Sequence, residues 1–132
     1  MFESSLKRMS VLCKVSESST TSYQVLSKGA PEVLKKFMKH LPEDYDAQYL
    51  KYVKDGARVL ALAKKTIPAI NQGQLQAYKR DEAESDLSFV GFIVAECPLK
   101  EDTAKIILEL KESSHDVKMI TGDNQLTAAF IG

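Results

Sequence analysis

The sequence predicts an α+β domain, an antiparallel sheet with flanking helices, followed by part of a second domain with a Rossmann-like order of elements. Up to residue 96, short stretches rich in β-branched and apolar residues alternate with stretches of helical periodicity. Pro98 breaks this pattern, and after it the order becomes helix, short apolar strand, turn and helix. We therefore expect a first domain at residues 1–96 and a partial second domain at residues 97–132.

The first elements are predicted to be a hairpin and a helix. Residues 8–15 and 23–27 have the apolar, β-branched composition of strands, and the polar residues 16–21 between them predict a loop. Pro31 suits the first turn of a helix, where its missing N–H costs nothing. Apolar residues then recur at helical spacing, so we expect this helix to run from Pro31 to about His40.

The middle of the chain predicts a second helix and two strands. Residues 45–54 place three tyrosines and a valine on one helix face, which favours a core-facing stripe over a platform for stacking bases. Gly56 is a natural stop just past the end of this helix. Residues 58–64 alternate as a strand, and residues 88–95 are apolar almost throughout, which predicts an interior strand. The predicted stripe consists of Tyr45, Tyr49, Tyr52 and Val53.

The remaining elements are a polar segment and the start of the second domain. Residues 73–84 are polar and charged, so we expect a surface helix there. Beyond Pro98 we expect a helix at residues 101–111, a short buried strand at residues 117–120 and a helix from about residue 125. A lone parallel strand cannot satisfy its backbone groups. We therefore expect the residues after Pro98 to be loosely held, to pack on the first domain or to exchange between copies.

Composition and charge exclude several classes of function. Lys plus Arg and Asp plus Glu number 18 each, and the resulting net charge of zero argues against nucleic-acid binding by counterion release. The two cysteines lack the spacing of a disulfide framework or a metal site, so we predict plain thiols, and we expect His40 and His115 to lie in loops with no metal bound. The longest apolar stretch, residues 89–95, is far shorter than the ~20 residues of a membrane-spanning helix. We expect a soluble, interior piece of a longer chain.

Four short segments carry the functional information in the sequence. Thr121-Gly122-Asp123-Asn124 follows an apolar run, and Lys28-Gly29-Ala30-Pro31-Glu32 lies about ninety residues upstream. Either one alone also fits an ordinary turn beside a helix. The other two are Phe2 followed by Lys7-Arg8-Met9-Ser10-Val11, and Gly56-Ala57-Arg58-Val59-Leu60-Ala61.

In this order and spacing the four segments resemble the cytoplasmic ATP-binding region of P-type ATPases, the ion and lipid pumps. The resemblance implies that residues 1–96 are the nucleotide-binding domain and that residues 97–132 begin the phosphorylation domain, which has a haloacid-dehalogenase type fold. Cys97-Pro98-Leu99-Lys100, together with Phe89-Val90-Gly91-Phe92-Ile93, resembles the type V branch and in particular its endoplasmic-reticulum members. The acid that the family usually has at this hinge is absent, whereas a cation remains at Lys100.

The resemblance also implies roles for single residues around a bound nucleotide. Phe2 corresponds to the aromatic residue that stacks on adenine, and Lys7 to a lysine that contacts ATP. Lys28 corresponds to a lysine deep in the adenine pocket, beside Gly29, where the absence of a side chain lets the ligand approach the backbone. Arg58 corresponds to an arginine that reaches toward the phosphates and ribose, a contact suited to a planar guanidinium.

Two further residues have implied roles in phosphoryl transfer by the intact enzyme. Thr121 would hydrogen-bond the transferred phosphoryl group, and Asp123 would lie on the nucleotide side of the site. The loop with the phosphorylated aspartate and the later magnesium-binding loop are both absent from these residues. We therefore expect this piece to bind ATP weakly without hydrolysing it, with most Mg²⁺ ligands supplied from elsewhere in the parent protein.

The resemblance finally implies partners and a location. The partners are ATP and the remaining phosphorylation, actuator and membrane domains of the parent chain, and the location is the cytosolic face of a membrane, that of the endoplasmic reticulum. The branch resembles transporters that extract misplaced transmembrane helices. The alternative is a non-catalytic interaction module that keeps the fold but has no functional nucleotide pocket.

Overall fold

The computed structural model describes residues 4–17, 20–96, 98–123 and 125–131. The strands are β1 (Arg8–Glu17), β2 (Thr20–Gly29), β3 (Met38–His40), β4 (Arg58–Ile67) and β5 (Leu87–Ala95). The helices are α1 (Pro31–Leu34), α2 (Tyr45–Lys54), α3 (Gln72–Ala77), α4 (Arg80–Ala83), α5 (Thr103–Glu112) and α6 (Gln125–Ile131). The five strands form one sheet in the order β1-β2-β4-β5-β3, which confirms the predicted α+β class and the interior position of β5.

The chain forms two compact units. The first unit comprises the residues up to Tyr49 together with Val59–Ile93, and the second comprises Leu50–Arg58 together with the residues from Val94 onward. The domain boundary between residues 96 and 97 stays a prediction. In the described ranges, no helix is long and apolar enough to cross a bilayer.

The β1–β2 hairpin is longer than the sequence predicted. Its antiparallel ladder runs from Arg8 paired with Gly29 to Glu17 paired with Thr20. The prediction of a loop at residues 16–21 was therefore wrong at residues 16, 17, 20 and 21, whereas residues 18 and 19 lie outside the described part. Ladder bonds are made by the backbone, so a polar stretch at the end of a hairpin can continue them.

The sheet of the first unit has one buried and one open face. Val25 and Ser27 of β2 are buried, as are Ala61 and Ala63 of β4, whereas the residues between them are exposed or half-buried. Successive side chains of a strand point to opposite faces, so these small and apolar residues all lie on the buried face of the sheet. The alternation predicted for β4 is confirmed by its burial pattern.

Four aromatic rings join α2 to β5 in the core of the first unit. The ring of Tyr45 lies 5.1 Å from that of Phe89 and 5.0 Å from that of Phe92, with Tyr49 beside them. The Tyr45 hydroxyl donates a hydrogen bond to the carbonyl oxygen of Pro31 at 3.1 Å. The hydroxyl of this buried tyrosine therefore has a hydrogen-bond partner. Of the predicted stripe, Tyr45, Tyr49 and Val53 are buried, but Tyr52 is exposed, so the prediction was wrong for Tyr52.

The helix predicted from Pro31 to His40 is shorter than expected. α1 ends at Leu34 and continues as a single 3₁₀ turn, after which Met38 adopts extended backbone with φ −95° and ψ 138°. Met38 and His40 then pair in parallel with the first residues of β5. Pairing across the sheet outweighs the local helical spacing, so His40 lies in a strand and not in the predicted loop.

The surface helix predicted at residues 73–84 is divided in two. α3 begins with a capping box, in which the Asn71 side chain accepts a hydrogen bond from the Gln74 N–H at 2.8 Å and the Gln74 side chain accepts one from the Asn71 N–H at 3.0 Å. Tyr78 then adopts extended backbone with φ −68° and ψ 113°, which separates α3 from α4. The segment ends at Glu84, which is buried rather than exposed.

The second unit contains the predicted helices α5 and α6 but lacks the predicted strand between them. Residues 115–122 have no regular secondary structure, and Ile120 is 97% exposed. A parallel strand forms only when a neighbour completes its ladder, and no strand in the described ranges pairs with residues 117–120. The Rossmann-like order is therefore not formed here.

Helix α6 is held within the second unit by the turn that joins α2 to β4. Gly56 has a φ of 81° and lies under the ring of Phe130, where an added Cβ would be 2.2 Å from a ring carbon. The buried hydroxyl of Thr127 donates a hydrogen bond to the Ala57 carbonyl oxygen at 3.3 Å. Gly56 therefore both ends α2 as predicted and makes room for α6.

Candidate functional site

The open face of the sheet in the first unit carries Lys28, one of the predicted site residues. Lys28 pairs with Met9 of β1 on one side and with Leu62 of β4 on the other. Directly paired residues of an antiparallel ladder point to the same face and lie about 5 Å apart at Cβ. The next row on this face consists of Val11, Leu26 and Lys64.

Apolar side chains surround Lys28 on this face. Met9 and Leu26 are each 40% exposed, and Leu60, two residues before Leu62 on β4, is 39% exposed. Large apolar side chains gathered on the solvent side of a sheet are typical of a binding surface. The open face, by which we mean Met9, Val11, Leu26, Lys28, Leu60 and Leu62, therefore combines a flat apolar surface with a cation.

Gly29 is buried on the opposite side of the sheet from Lys28. A Cβ added to Gly29 would lie 2.7 Å from the Arg8 Cβ and 2.8 Å from the Lys7 carbonyl oxygen. In this structure, the segment that needs the space left free at Gly29 is the chain that enters β1. An approach by a ligand to the Gly29 backbone stays a prediction.

Lys7 lies beside the end of β2, close in the fold to Lys28. Its carbonyl oxygen accepts a hydrogen bond from the Ala30 N–H at 3.0 Å, and its backbone has a φ of 49°. The left-handed backbone turns the chain immediately before β1. The structure thus brings the backbones of Lys7 and the Lys28-Gly29-Ala30 segment together, whereas Phe2 lies outside the described residues.

The second unit brings the other three predicted residues together. The guanidinium of Arg58 donates two hydrogen bonds to Oδ2 of Asp123, from Nε at 3.2 Å and from Nη2 at 2.8 Å. The Asp123 N–H donates to Oγ1 of Thr121 at 3.1 Å, which closes the turn on itself. Both charged side chains are partly exposed, so this ion pair is partly solvated and contributes about 1 kcal/mol or less.

A buried carboxylate beneath the sheet was not predicted from the sequence. Glu84 is 1% exposed, and Oε2 accepts a hydrogen bond from Nε of Arg8 at 2.8 Å. Its Oε1 accepts from the Ser10 hydroxyl at 2.8 Å and from Nε of Arg80 at 2.9 Å. The Ser10 hydroxyl is also hydrogen-bonded to that of Ser27, so the network joins α4 to both strands of the hairpin.

The electrostatic balance at Glu84 favours the ionised carboxylate. Burial pushes the pKa of Glu84 upward, but the hydrogen bonds from Ser10, Arg8 and Arg80 together hold this pKa below its ordinary value. Arg8 also stacks on the ring of Phe37, with its guanidinium carbon 4.2 Å from the ring centre. The only sequence signal for this cluster was that Arg8 and Ser10 alternate with the apolar residues of β1.

Magnesium has no cluster of ligands in this part of the molecule. Among the described residues, no group of three or more His, Cys, Asp or Glu side chains is arranged to hold a metal ion.

The fold is the mixed α+β arrangement expected of the nucleotide-binding domain of a P-type ATPase. Residues 1–102 match the family described as "P-type ATPase, cytoplasmic domain N". The chain is 45% identical over 130 residues to "Probable manganese-transporting ATPase PDR2" of Arabidopsis thaliana. It is 40% identical over 130 residues to "Endoplasmic reticulum transmembrane helix translocase" of Saccharomyces cerevisiae, and 36% identical over 129 residues to "Probable cation-transporting ATPase 13A5" of Homo sapiens.

These alignments cover 98%, 98% and 96% of the chain, but only 11%, 10% and 10% of the relatives. The chain therefore belongs to the P-type ATPases, in their type V branch, and contains their cytoplasmic domain N. It spans about a tenth of the length of these relatives.

Proposed function

We propose that the open face around Lys28 binds ATP by its adenine end. The observation that carries this proposal is a cation placed among exposed apolar side chains on a flat sheet face. A purine is a flat apolar ring with polar edges, so it can lie on Met9 and Leu26 while the Lys28 ammonium approaches an acceptor atom of the nucleotide. The proposal for Gly29 and Phe2 rests on the resemblance alone.

The open face favours weak binding. Covering about 100 Å² of apolar surface contributes roughly 2.5 kcal/mol. One charge-assisted hydrogen bond adds about 1.5–3 kcal/mol. Together these give about −4 to −5.5 kcal/mol, which corresponds to a millimolar to sub-millimolar dissociation constant.

In the parent protein we infer that this domain delivers the γ-phosphate of ATP to an aspartate of the phosphorylation domain. Lys7 and Arg58 would contact the nucleotide, and Thr121 and Asp123 would take part only once the rest of that domain is present. Positioning and charge neutralisation dominate phosphoryl transfer, and Mg²⁺ would accompany ATP with most of its ligands outside this chain. The piece by itself would bind ATP without hydrolysis.

We further infer a place for the parent protein from its relatives. Three of the relatives, with 40–42% identity, carry the name of an endoplasmic reticulum transmembrane helix translocase. We therefore propose that the chain faces the cytosol at the endoplasmic reticulum membrane, as part of an ATP-driven transporter of transmembrane helices. The actuator, membrane and remaining phosphorylation domains would be its covalent partners.

A second function for the same face is protein interaction. Exposed apolar side chains on a sheet are also typical of an interface. In that case the open face would bury against another domain, and Lys28 would lie at its rim. The two functions differ in whether Lys28 matters for nucleotide binding.

An amide NMR titration of the chain with ATP tests the proposal. We expect shifts that saturate and are largest at Met9, Leu26, Lys28 and Leu60. Lys28→Ala should weaken binding about ten-fold, because one charge-assisted contact is worth about 1.5 kcal/mol. Lys14→Ala is the matched control, since Lys14 is an exposed lysine of β1 outside the open face. Equal binding by both variants, or no shift at saturating ATP, would reject the proposal in favour of an interaction surface.

A further inference from the structure

A pocket next to the open face lies along β1. Its volume is about 390 Å³, and it is lined by the four consecutive β1 residues 9–12, by Val25 of β2, and by Tyr78, Lys79, Arg80, Ala83 and Glu84. β1 is the first strand in the sheet order, so its outer side is an edge. Met9 and Val11 of the open face also line it, whereas Lys28, Leu26, Leu60 and Leu62 do not, so the pocket adjoins the proposed nucleotide surface without containing its cation.

The size of the pocket fits a small organic molecule. Ligand pockets typically measure about 300–1,000 Å³, whereas a single water molecule occupies about 30 Å³. The lining includes the aliphatic side chains of Val11 and Leu12, which are partly exposed, and the half-buried ring of Tyr78. These groups would cover an apolar body of one or two rings.

The charges at the pocket favour an anionic group on that body. Lys79 and Arg80 line it side by side, and in the described part of the chain the Lys79 ammonium has neither a hydrogen bond nor an ion pair. The acidic side chain of the lining, Glu84, already accepts hydrogen bonds from Arg8, Ser10 and Arg80. Its charge is therefore balanced within the protein, and among the side chains that line the pocket the Lys79 ammonium is the charge left for a ligand.

We propose that this pocket binds a small amphipathic organic anion, with an apolar ring system or short chain on the β1 side and one sulfonate, carboxylate or phosphate at Lys79. The edge of β1 also offers backbone groups that β2 does not use, which can hold polar atoms of the ligand. The anion would be held at Lys79, on the far side of β1 from Lys28, so this site does not use the cation proposed for ATP.

The test uses 2-naphthalenesulfonate as the probe and the neutral 2-naphthalenemethanol as its matched partner, both followed by amide NMR shifts on the full chain. We expect the sulfonate to shift residues 9–12 and 78–84 and to bind about five-fold more tightly than the alcohol, because one charge-assisted contact distinguishes them. Equal binding of the two compounds, or shifts centred on Lys28, would overturn the proposal.

Two variants locate the interaction. Lys79→Ala should reduce sulfonate affinity about three- to five-fold, while Lys39→Ala, an exposed lysine of the same unit, should leave it unchanged. Ala83→Leu should fill the pocket and abolish binding, and the dispersion of its spectrum shows whether it is folded. If Lys79→Ala behaves like Lys39→Ala, the site does not exist as described, whatever Ala83→Leu does.

A competition experiment separates this site from the proposed function. Saturating ATP should leave the sulfonate shifts at residues 78–84 in place if the two sites are distinct. Displacement of the probe by ATP would show one shared site and would overturn the inference. Failure of ATP to bind at Lys28, with the probe still bound at Lys79, would reject the proposed function and leave this inference standing.

Discussion

Replacement of the buried Glu84 should lower the free energy of unfolding of the first unit more than the replacement of an exposed residue. Three side chains, Arg8, Ser10 and Arg80, donate hydrogen bonds to its carboxylate at 2.8–2.9 Å. Removing one partner of a buried ion pair costs about 3–5 kcal/mol, because the other charge is left uncompensated. Arg8 is only 13% exposed, whereas Arg80 is 40% exposed and can recover water, so we expect Glu84→Ala to cost about 3 kcal/mol, near the lower end.

Glu84→Gln separates charge from shape at the same position. The amide keeps the volume and one acceptor oxygen but lacks the negative charge, so its cost should be about 1.5–3 kcal/mol, the value of a hydrogen bond to a charged group. The measurement is urea unfolding followed by far-ultraviolet circular dichroism at pH 7. Glu43→Gln, at an exposed position, is the control and should change the free energy of unfolding by less than about 0.5 kcal/mol.

The pH dependence gives an independent check of the same network. The folded pKa of Glu84 lies below its ordinary value, so its contribution to stability is complete above that ordinary value. The contribution is lost as the pH falls from about 4.5 through the folded pKa. The chain with Glu84 unchanged should therefore lose stability more steeply than Glu84→Gln in this acid range. Parallel acid curves for the two proteins, or a cost of Glu84→Gln below about 0.5 kcal/mol at pH 7, would refute the argument.

Three further predictions concern other positions. Gly29→Ala should lower the free energy of unfolding by about 1–3 kcal/mol in urea melts, because its Cβ would lie 2.7 Å from the Arg8 Cβ. Tyr45→Phe should cost about 0.5–1.5 kcal/mol, the net value of one hydrogen bond, because the Pro31 carbonyl oxygen still accepts from the Lys35 N–H. In the unmodified chain, burial and nearby Tyr49 and Asp46 raise the Tyr45 pKa, so absorbance at 295 nm should show this phenol titrating last. Its share of the stability should be lost as the pH rises above about 10. Asp123→Asn should cost less than about 1 kcal/mol by thermal melting, because the ion pair of Asp123 with Arg58 is partly solvated, and a larger loss would contradict that assignment.

Elements fixed by local patterns were predicted well from the sequence. The helix at Tyr45–Lys54 and its stop at Gly56 follow from helical spacing and from a glycine with a positive φ. Elements that depend on a distant partner were not predicted correctly. The helix does not continue through Met38, because Met38 pairs in parallel with β5, about fifty residues later in the chain. Residues 117–120 do not form a strand, because no strand in the described part of the chain pairs with them.

The candidate site shows the same division between local and distant information. Motif order predicted Lys28, and the strand pattern alone shows that Leu60 lies opposite the buried residues of β4. The sequence could not show that Met9 is the direct neighbour of Lys28, because this depends on the hairpin register. Nor could it show that Glu84 is buried, since its partner Arg8 lies 76 positions away in the chain.

The two faces of the hairpin explain why a weak binding surface can still be a precise one. Lys28 stands between Ser27 and Gly29, both of which are buried on the opposite face. Ser27 is hydrogen-bonded through Ser10 to Glu84, and Gly29 lies against the backbone of Arg8. The backbone that presents Lys28 to a ligand is therefore fixed from below by a charged network and by close packing. Since this backbone is already ordered, a ligand on the open face would have to order only side chains, such as that of Lys28, and not the strand itself.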